Sequence, residues 1–370
     1  MIHSDMMPVL EACNGLTTWD ELGDGTLQIR AFIGQLSQMG YFDDENYRII
    51  RANVDADWNA LDVRPATCAG STYPAHADDL TTYLDNLLAD PLNDLLEDLP
   101  SGLPSGLPSG LHNVFLVPHI DFRVAPHVYA EAFRRVGNAD ADLFVIVGTS
   151  HYWGEHRVIL THKHFDTPQG VVSVDRDLVD ALATRLRAHD ATTIDILAPN
   201  DLAHKPEHSI ELHTVLLNHV RKGRPFTILP ILVTGVGGEH DPHGVAELQR
   251  VADDVRAVVD ASGRNAVWLI SGDLAHVGMR FGDDVAAHEM LDDVTTADQE
   301  LLGHLGRADV LAYHEALERI DHRYRVCGHA PTLLALHAAK PLQGEVLAYD
   351  VWDDSDTSSA VTFAAVAFSR

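Results

Sequence analysis

Three stretches of the chain share one pattern: an unbroken apolar run that ends at a small or cyclic residue and passes into a histidine-bearing segment. Leu143-Phe144-Val145-Ile146-Val147 runs into Gly148-Thr149-Ser150-His151. Val114-Phe115-Leu116-Val117 runs into Pro118-His119, and Ala266-Val267-Trp268-Leu269-Ile270 into Ser271-Gly272-Asp273, with His276 close behind. Continuous apolar runs of this length predict strands buried on both faces, as in parallel sheets covered by helices. In open α/β sheets, ligands bind outside the carboxyl ends of the strands. The chemistry is therefore expected along that edge.

The rest of the pattern fits this frame. Strands at 114–118, 143–148, 226–233 and 266–271 alternate with helices near 124–136, 175–188, from Glu207 onward, and 243–261. A short, mostly apolar run lies at 194–197. Helices near 286–304, 309–319 and 329–339 follow, and strands at 345–351 and 359–368 close the chain as an expected antiparallel pair. Such alternation predicts an α/β fold, a mostly parallel sheet flanked by helices on both faces. Ahead of it, residues 78–90 carry Leu80, Tyr83, Leu84, Leu87 and Leu88 on one helical face. Residues 101–111 repeat Ser-Gly-Leu-Pro, a density of Pro and Gly that neither helix nor sheet accepts, so a flexible insertion is expected at about 98–112.

Residues 1–55 read as a separate small unit, distinct from the domain at 64–370. Leu27, Ile29, Phe32, Ile33, Leu36 and Met39 recur near helical spacing, and Gly40 ends the run. Gly15 to Leu22 reads as a turn, a Thr cap and a short helix, and Tyr41 to Ile50 as a two-stranded wing. The unit resembles the PqqD-like and winged-helix folds, which implies a module that docks a peptide or protein partner.

Composition narrows the function. The 370 residues are 46% hydrophobic, enough for a sizeable core. No apolar run approaches the roughly 20 residues of a membrane helix, and the first residues lack the basic and apolar regions of a signal peptide. A cytoplasmic protein with no membrane association is expected. The formal net charge is −29, and lysine occurs only at Lys163, Lys205, Lys222 and Lys340, so nucleic acid is an unfavourable partner. Cys13, Cys68 and Cys327 are odd in number and far apart, which argues against a disulfide framework and leaves each a thiol or a ligand.

Chemistry-bearing residues cluster at the strand ends and two further segments: Pro206-Glu207-His208-Ser209-Ile210-Glu211-Leu212-His213 and Arg325-Val326-Cys327-Gly328-His329-Ala330-Pro331. Neutral imidazole and thiolate are metal ligands, and carboxylates orient imidazoles from behind. Each residue also has a plainer reading. A strand-end histidine is commonly a hydrogen-bonded loop residue, a buried cysteine a small hydrophobe, and His208 with Glu211 an ordinary helix pair. Spacing alone leaves a metal site and chance clustering equally open, because there are 23 histidines and no compact ligand motif.

The segments Pro118-His119, Gly148-Thr149-Ser150-His151, Glu207-His208-Ser209-Ile210-Glu211, Ser271-Gly272-Asp273-Leu274-Ala275-His276-Val277-Gly278 and Cys327-Gly328-His329-Ala330-Pro331 fall in the order found in the Memo family, whose prokaryotic members are called AmmeMemoRadiSam system protein B. Ala69-Gly70-Ser71-Thr72-Tyr73-Pro74 is similar to that family's opening, so the resemblance covers about residues 64–370. It implies a fold related to class III, LigB-type extradiol dioxygenases, with cysteine in place of a carboxylate ligand. Carried over by motif, His119, His151 and Cys327 are the metal ligands, His276 is a nearby acid/base or additional pocket residue with Asp273 beside it as a further catalytic candidate, and Glu207, His208 and Glu211 line the pocket. The implied metal is Fe(II) or copper, with zinc admitted by the same donors. The implied partners are AMMECR-type and radical SAM proteins, with a peptide or small aromatic ligand in the cleft. Three functions remain open: a dioxygenase-like metal-dependent oxidoreductase, a non-catalytic metal- or peptide-binding scaffold, and a zinc hydrolase using Asp273 or Glu207 as base. Ile120-Asp121-Phe122 departs from the family's usual small residues after the first histidine, so the substrate does not carry over.

Overall fold

The computed structural model describes residues 7–14, 17, 27–89, 112–152, 156–189, 200–237, 241 and 243–369. The expected flexible insertion, the apolar run at 194–197 and most of the cap and helix at 15–22 lie outside these residues. The chain divides into two compact units, Met1–Ala60 and Leu61–Arg370.

Among its described residues, the first unit's regular structure is all helical: α1 (Met7–Ala12), α2 (Leu27–Gln38) and α3 (Glu45–Asn59). The wing expected at 41–50 is absent, because that stretch enters α3. Asp44 caps the helix, its carboxylate accepting the Tyr47 N–H at 3.0 Å, and Glu45 stands in the first turn. Negative charge there complements the helix dipole. The less exposed positions of α3 (Tyr47, Val54, Asp55 and Trp58) recur at helical spacing. The β-prone residues Tyr47, Ile49 and Ile50 yield to that cap and period.

The second unit contains β1 (Val63–Arg64), α4 (Ala77–Ala89), β2 (His112–Val117), α5 (Pro126–Asn138), β3 (Leu143–Thr149), β4 (Val158–Leu160), β5 (His164–Phe165), α6 (Arg176–His189), α7 (His208–Val220) and β6 (Thr227–Val233). It continues through α8 (Gly244–Ser262), β7 (Ala266–Ser271), β8 (His276–Gly278), α9 (Leu291–Gly306), α10 (Val310–Arg319), α11 (His329–Ala339), β9 (Gln343–Asp354) and β10 (Ser359–Ser369). It is a mixed α/β fold with a central sheet flanked by helices.

The sheet runs β4-β6-β3-β7-β2-β10, and β10 also pairs with β8 and β9. Only β6, β3, β7 and β2 are mutually parallel. β4 and the β8–β10 group are antiparallel, so the parallel character is confined to the centre and "mostly parallel" is corrected to that extent. β9 covers β10 along its whole length, so β2 and β8 must share the opposite flank of β10, at different ends. α4, α5 and α7 form one helical layer; α8 and α11 lie on the other face, joined by α6, α9 and α10. Residues 114–117, 143–148 and 228–233 are entirely buried, which is why their sequences read as continuous apolar runs.

This topology positions the site. β7 lies between β2 and β3, so the carboxyl ends carrying His119, Asp273 and His151 are neighbours in that order: β2, β7, β3. α7 and α11 pack on opposite faces of the same strands, and both begin at this edge. Among the described residues, no helix is long and apolar enough to cross a membrane.

Candidate functional site

Two glycine contacts bring the helix starts onto the strand ends. A Cβ on Gly272 would stand 2.3 Å from the Cα of Gly328, so two bare backbones meet where β7 ends and the Cys327 loop begins. The Gly328 N–H donates to the Asp273 carbonyl at 3.0 Å and closes that contact. On the other face, a Cβ on Gly148 would lie 2.7 Å from Ser209 Oγ, so glycine lets the first turn of α7 settle against β3. A larger residue at Gly272 would push the Cys327 loop off the end of β7, and one at Gly148 would push the first turn of α7 off β3.

His119 is at the centre. Its backbone N–H donates to Asp273 Oδ1 at 2.9 Å, and its Nδ1 lies 3.0 Å from Ser271 Oγ. The Ser271 hydroxyl gives its single proton to the Ser209 carbonyl at 2.6 Å, so it receives the Nδ1–H from His119. That leaves the lone pair on Nε2, which faces Cys327 Sγ at 3.3 Å and Asp273 Oδ2 at 3.7 Å. The Asp273 N–H donates to the same sulfur at 3.3 Å, and the thiol faces the Asp273 carbonyl at 3.7 Å as well as His119 Nε2. Burial and the Asp273 charge push the Cys327 thiol well above its ordinary pKa. A metal held there would displace that proton.

Glu207 organises the other side. Its carboxylate caps α7 through the Ser209 N–H at 3.0 Å and accepts the His151 N–H at 2.7 Å. Its Oε1 lies 3.0 Å from His151 Nδ1 and 3.2 Å from His208 Nδ1. A carboxylate only accepts, so the hydrogen bond to His151 favours its Nδ1–H tautomer with the lone pair on Nε2, while His208 stands against the same oxygen as an ion-pair contact. Burial pushes the Glu207 carboxyl upward, but the hydrogen bonds and charge of His151, with the charge of His208, bring it down to about 2. The His151 and His208 rings stack at 4.7 Å, and His119 meets them edge-on at 4.9 and 5.1 Å.

The described residues contain two sets of potential donors whose atoms lie within 4.8 Å of one another: His119, His151 and His208; and His119, Asp273 and Cys327. His119 belongs to both, whereas His151 and Cys327 fall in different sets. Asp273 is fully buried and its carboxyl is pushed up to about 7, burial outweighing the His119 N–H that favours the anion. His276 Nδ1 lies 3.2 Å from both the Leu274 and Arg325 carbonyls, so it too carries its proton on Nδ1, and burial lowers its pKa to about 4. His276 is close enough to His119 for their charges to oppose one another.

Glu211 is a buried anchor on α7. Its carboxylate is taken up by Arg64 at 2.6 Å, by Thr67, by the Cys68 N–H and by the Tyr73 hydroxyl. Arg64, buried as well, also donates to the carbonyls of His204 and Glu207. The segment 64–73 is thus tied to the first turns of α7. Sequence reading passed over Ser271, Ser209, Arg64 and His213, although all stand inside or beside quoted motifs. His213 donates from Nε2 to the Pro118 carbonyl at 3.0 Å, fixing the residue just before His119.

Fold and site together define an α/β protein with a histidine-thiol-carboxylate centre at the carboxyl edge of its parallel strands. The family model described as Memo-like protein matches residues 64–367. The chain belongs to the Memo family. It is 29% identical over 257 residues to a MEMO1 family protein of Aquifex aeolicus, covering 68% of this chain and 63% of that protein's length. It is 27% identical to a MEMO1 family protein of Methanosarcina acetivorans, covering 83% of this chain and 99% of the relative. A memo-1 homolog of Caenorhabditis elegans is 25% identical, covering 75% and 71% respectively.

Proposed function

We propose that the protein is a metal-dependent redox protein whose centre is organised on His119, with His151 and Cys327 as further ligands and iron or copper as the metal. The observation that carries this reading is the 3.3 Å approach of His119 Nε2 to Cys327 Sγ, with Nδ1–H of the same ring fixed on Ser271. A ligating histidine characteristically donates its other N–H to an acceptor that sets its tautomer. Two imidazoles and a thiolate make a softer donor set than two imidazoles and a carboxylate, which favours copper and iron while admitting zinc. Bound there, such a metal would supply a redox-active Lewis acid able to polarise an aromatic diol.

The chain's own residues then divide the remaining work. His276 offers an unprotonated Nε2 as base for a substrate hydroxyl. Asp273, poised near pH 7, holds or releases a proton beside His119. The proposed partners are AMMECR-type and radical SAM proteins, by family resemblance. Iron-loaded protein given catechol under air is expected to consume dioxygen, and His276→Ala to lower the turnover by about 10²-fold or more. Stoichiometric iron with no dioxygen uptake on any diol would contradict the enzymatic reading and favour a non-catalytic metal-binding protein.

A further inference from the structure

We infer that His208 is a metal ligand, forming with His119 and His151 an all-imidazole seat for a divalent cation beside the His119–Cys327–Asp273 group. This rests on the metal-centre reading above and adds a donor that the family resemblance assigns only to the pocket wall.

Three independent features converge on it. The donor atoms of His119, His151 and His208 lie within 4.8 Å of one another. Two of the rings hydrogen-bond a neighbour through Nδ1, His119 with Ser271 Oγ and His151 with Glu207 Oε1, and His208 Nδ1 lies 3.2 Å from the same Glu207 oxygen. His119 and His151 therefore carry their lone pairs on Nε2, and imidazole donors gathered this closely are reconciled by a cation or a bound water. Finally, the local charge suits a cation. His208 is the first residue of α7, where the helix dipole disfavours positive charge, but the Glu207 carboxylate caps that terminus.

The two donor sets differ in character and in depth. The imidazole set includes His151 and His208, whose side chains are 33% and 36% exposed, so it opens to solvent. The second set pairs buried His119 with a thiol and a buried carboxylate. A borderline divalent ion is matched by the imidazoles, and Cu(I) by His119 and the Cys327 sulfur. Because both sets use His119, the inference assigns one metal at a time, sorted by softness.

Cobalt(II) added to the full-length protein tests this. One equivalent is expected to bind, without the near-ultraviolet absorption of thiolate-to-cobalt charge transfer. The proton spectrum is expected to show three strongly shifted, exchangeable imidazole N–H resonances. Removing a group that merely orients a ligand costs about 10–100-fold in affinity, so His208→Ala is expected to weaken cobalt binding at least about tenfold. Cys327→Ala, which removes the thiol donor of the other set, is expected to weaken Cu(I) binding. Because His208→Ala could perturb folding, the wild-type spectrum decides independently. Two shifted N–H resonances with a thiolate band, and affinity lost in Cys327→Ala alone, would overturn the role of His208 while leaving the His119–His151–Cys327 centre intact. No binding of cobalt, iron or copper by the wild type would overturn both.

Discussion

At the scale of single residues, the site is a set of protons assigned by their neighbours. Ser271, Glu207 and the Leu274 and Arg325 carbonyls hold the Nδ1 protons of three histidines, His119, His151 and His276, and so decide which of their nitrogens can bind a cation. Glu207 matters most, because one of its oxygens serves two rings and its carboxylate also caps α7. Glu207→Gln keeps the shape but removes the charge and one acceptor. It is expected to lower metal affinity by about 10–100-fold, measured by competition with a chromophoric chelator. Unchanged affinity would mean that His151 and His208 are not oriented through Glu207. The strand-end histidines were legible in the sequence because a strand buried on both faces must end before a polar residue can appear. Ser271 and Ser209 were not singled out. Their importance lies in which proton each gives away, and that depends on partners 62 and 60 residues distant.

At the scale of elements, most strands and helices follow from hydrophobic period and caps, and the exceptions have physical causes. Segment 41–50 carries β-prone side chains, yet the Asp44 cap and the first-turn Glu45 commit it to α3. β8 is three residues long, too short to show a period, and is fixed by its pairing with β10. That region has its own titrating group. Asp298 on α9 is buried and receives the Tyr349 hydroxyl of β9 at 2.9 Å. Burial pushes its carboxyl up to about 7 from 3.8. The folded state thus favours its protonated form. The stability it contributes is fully present below about pH 4 and is lost as pH rises through about 7. Asp298→Asn is expected to flatten this part of the pH dependence. The urea midpoint of the wild type should fall more between pH 5 and pH 8 than that of the variant. Equal falls would show that Asp298 ionises as freely in the folded protein as in the unfolded chain.

At the scale of the molecule, the family match, the sheet order and the donor sets concern the same unit, residues 61–370. The order of β2, β7 and β3 turns three distant histidine- and aspartate-bearing motifs into neighbours, something no sequence spacing announces. A net charge of −29 adds a long-range field that draws cations toward the molecule and repels polyanions. Everything proposed for the protein passes through His119, which both donor sets require. The most direct measurement is the metal content of anaerobically purified protein, wild type beside His119→Ala, each also reconstituted with iron and with copper. About one equivalent in the wild type, lost in the variant, is the expected result. A wild type that holds no metal after reconstitution, or a His119→Ala protein that holds as much as the wild type, would contradict the account.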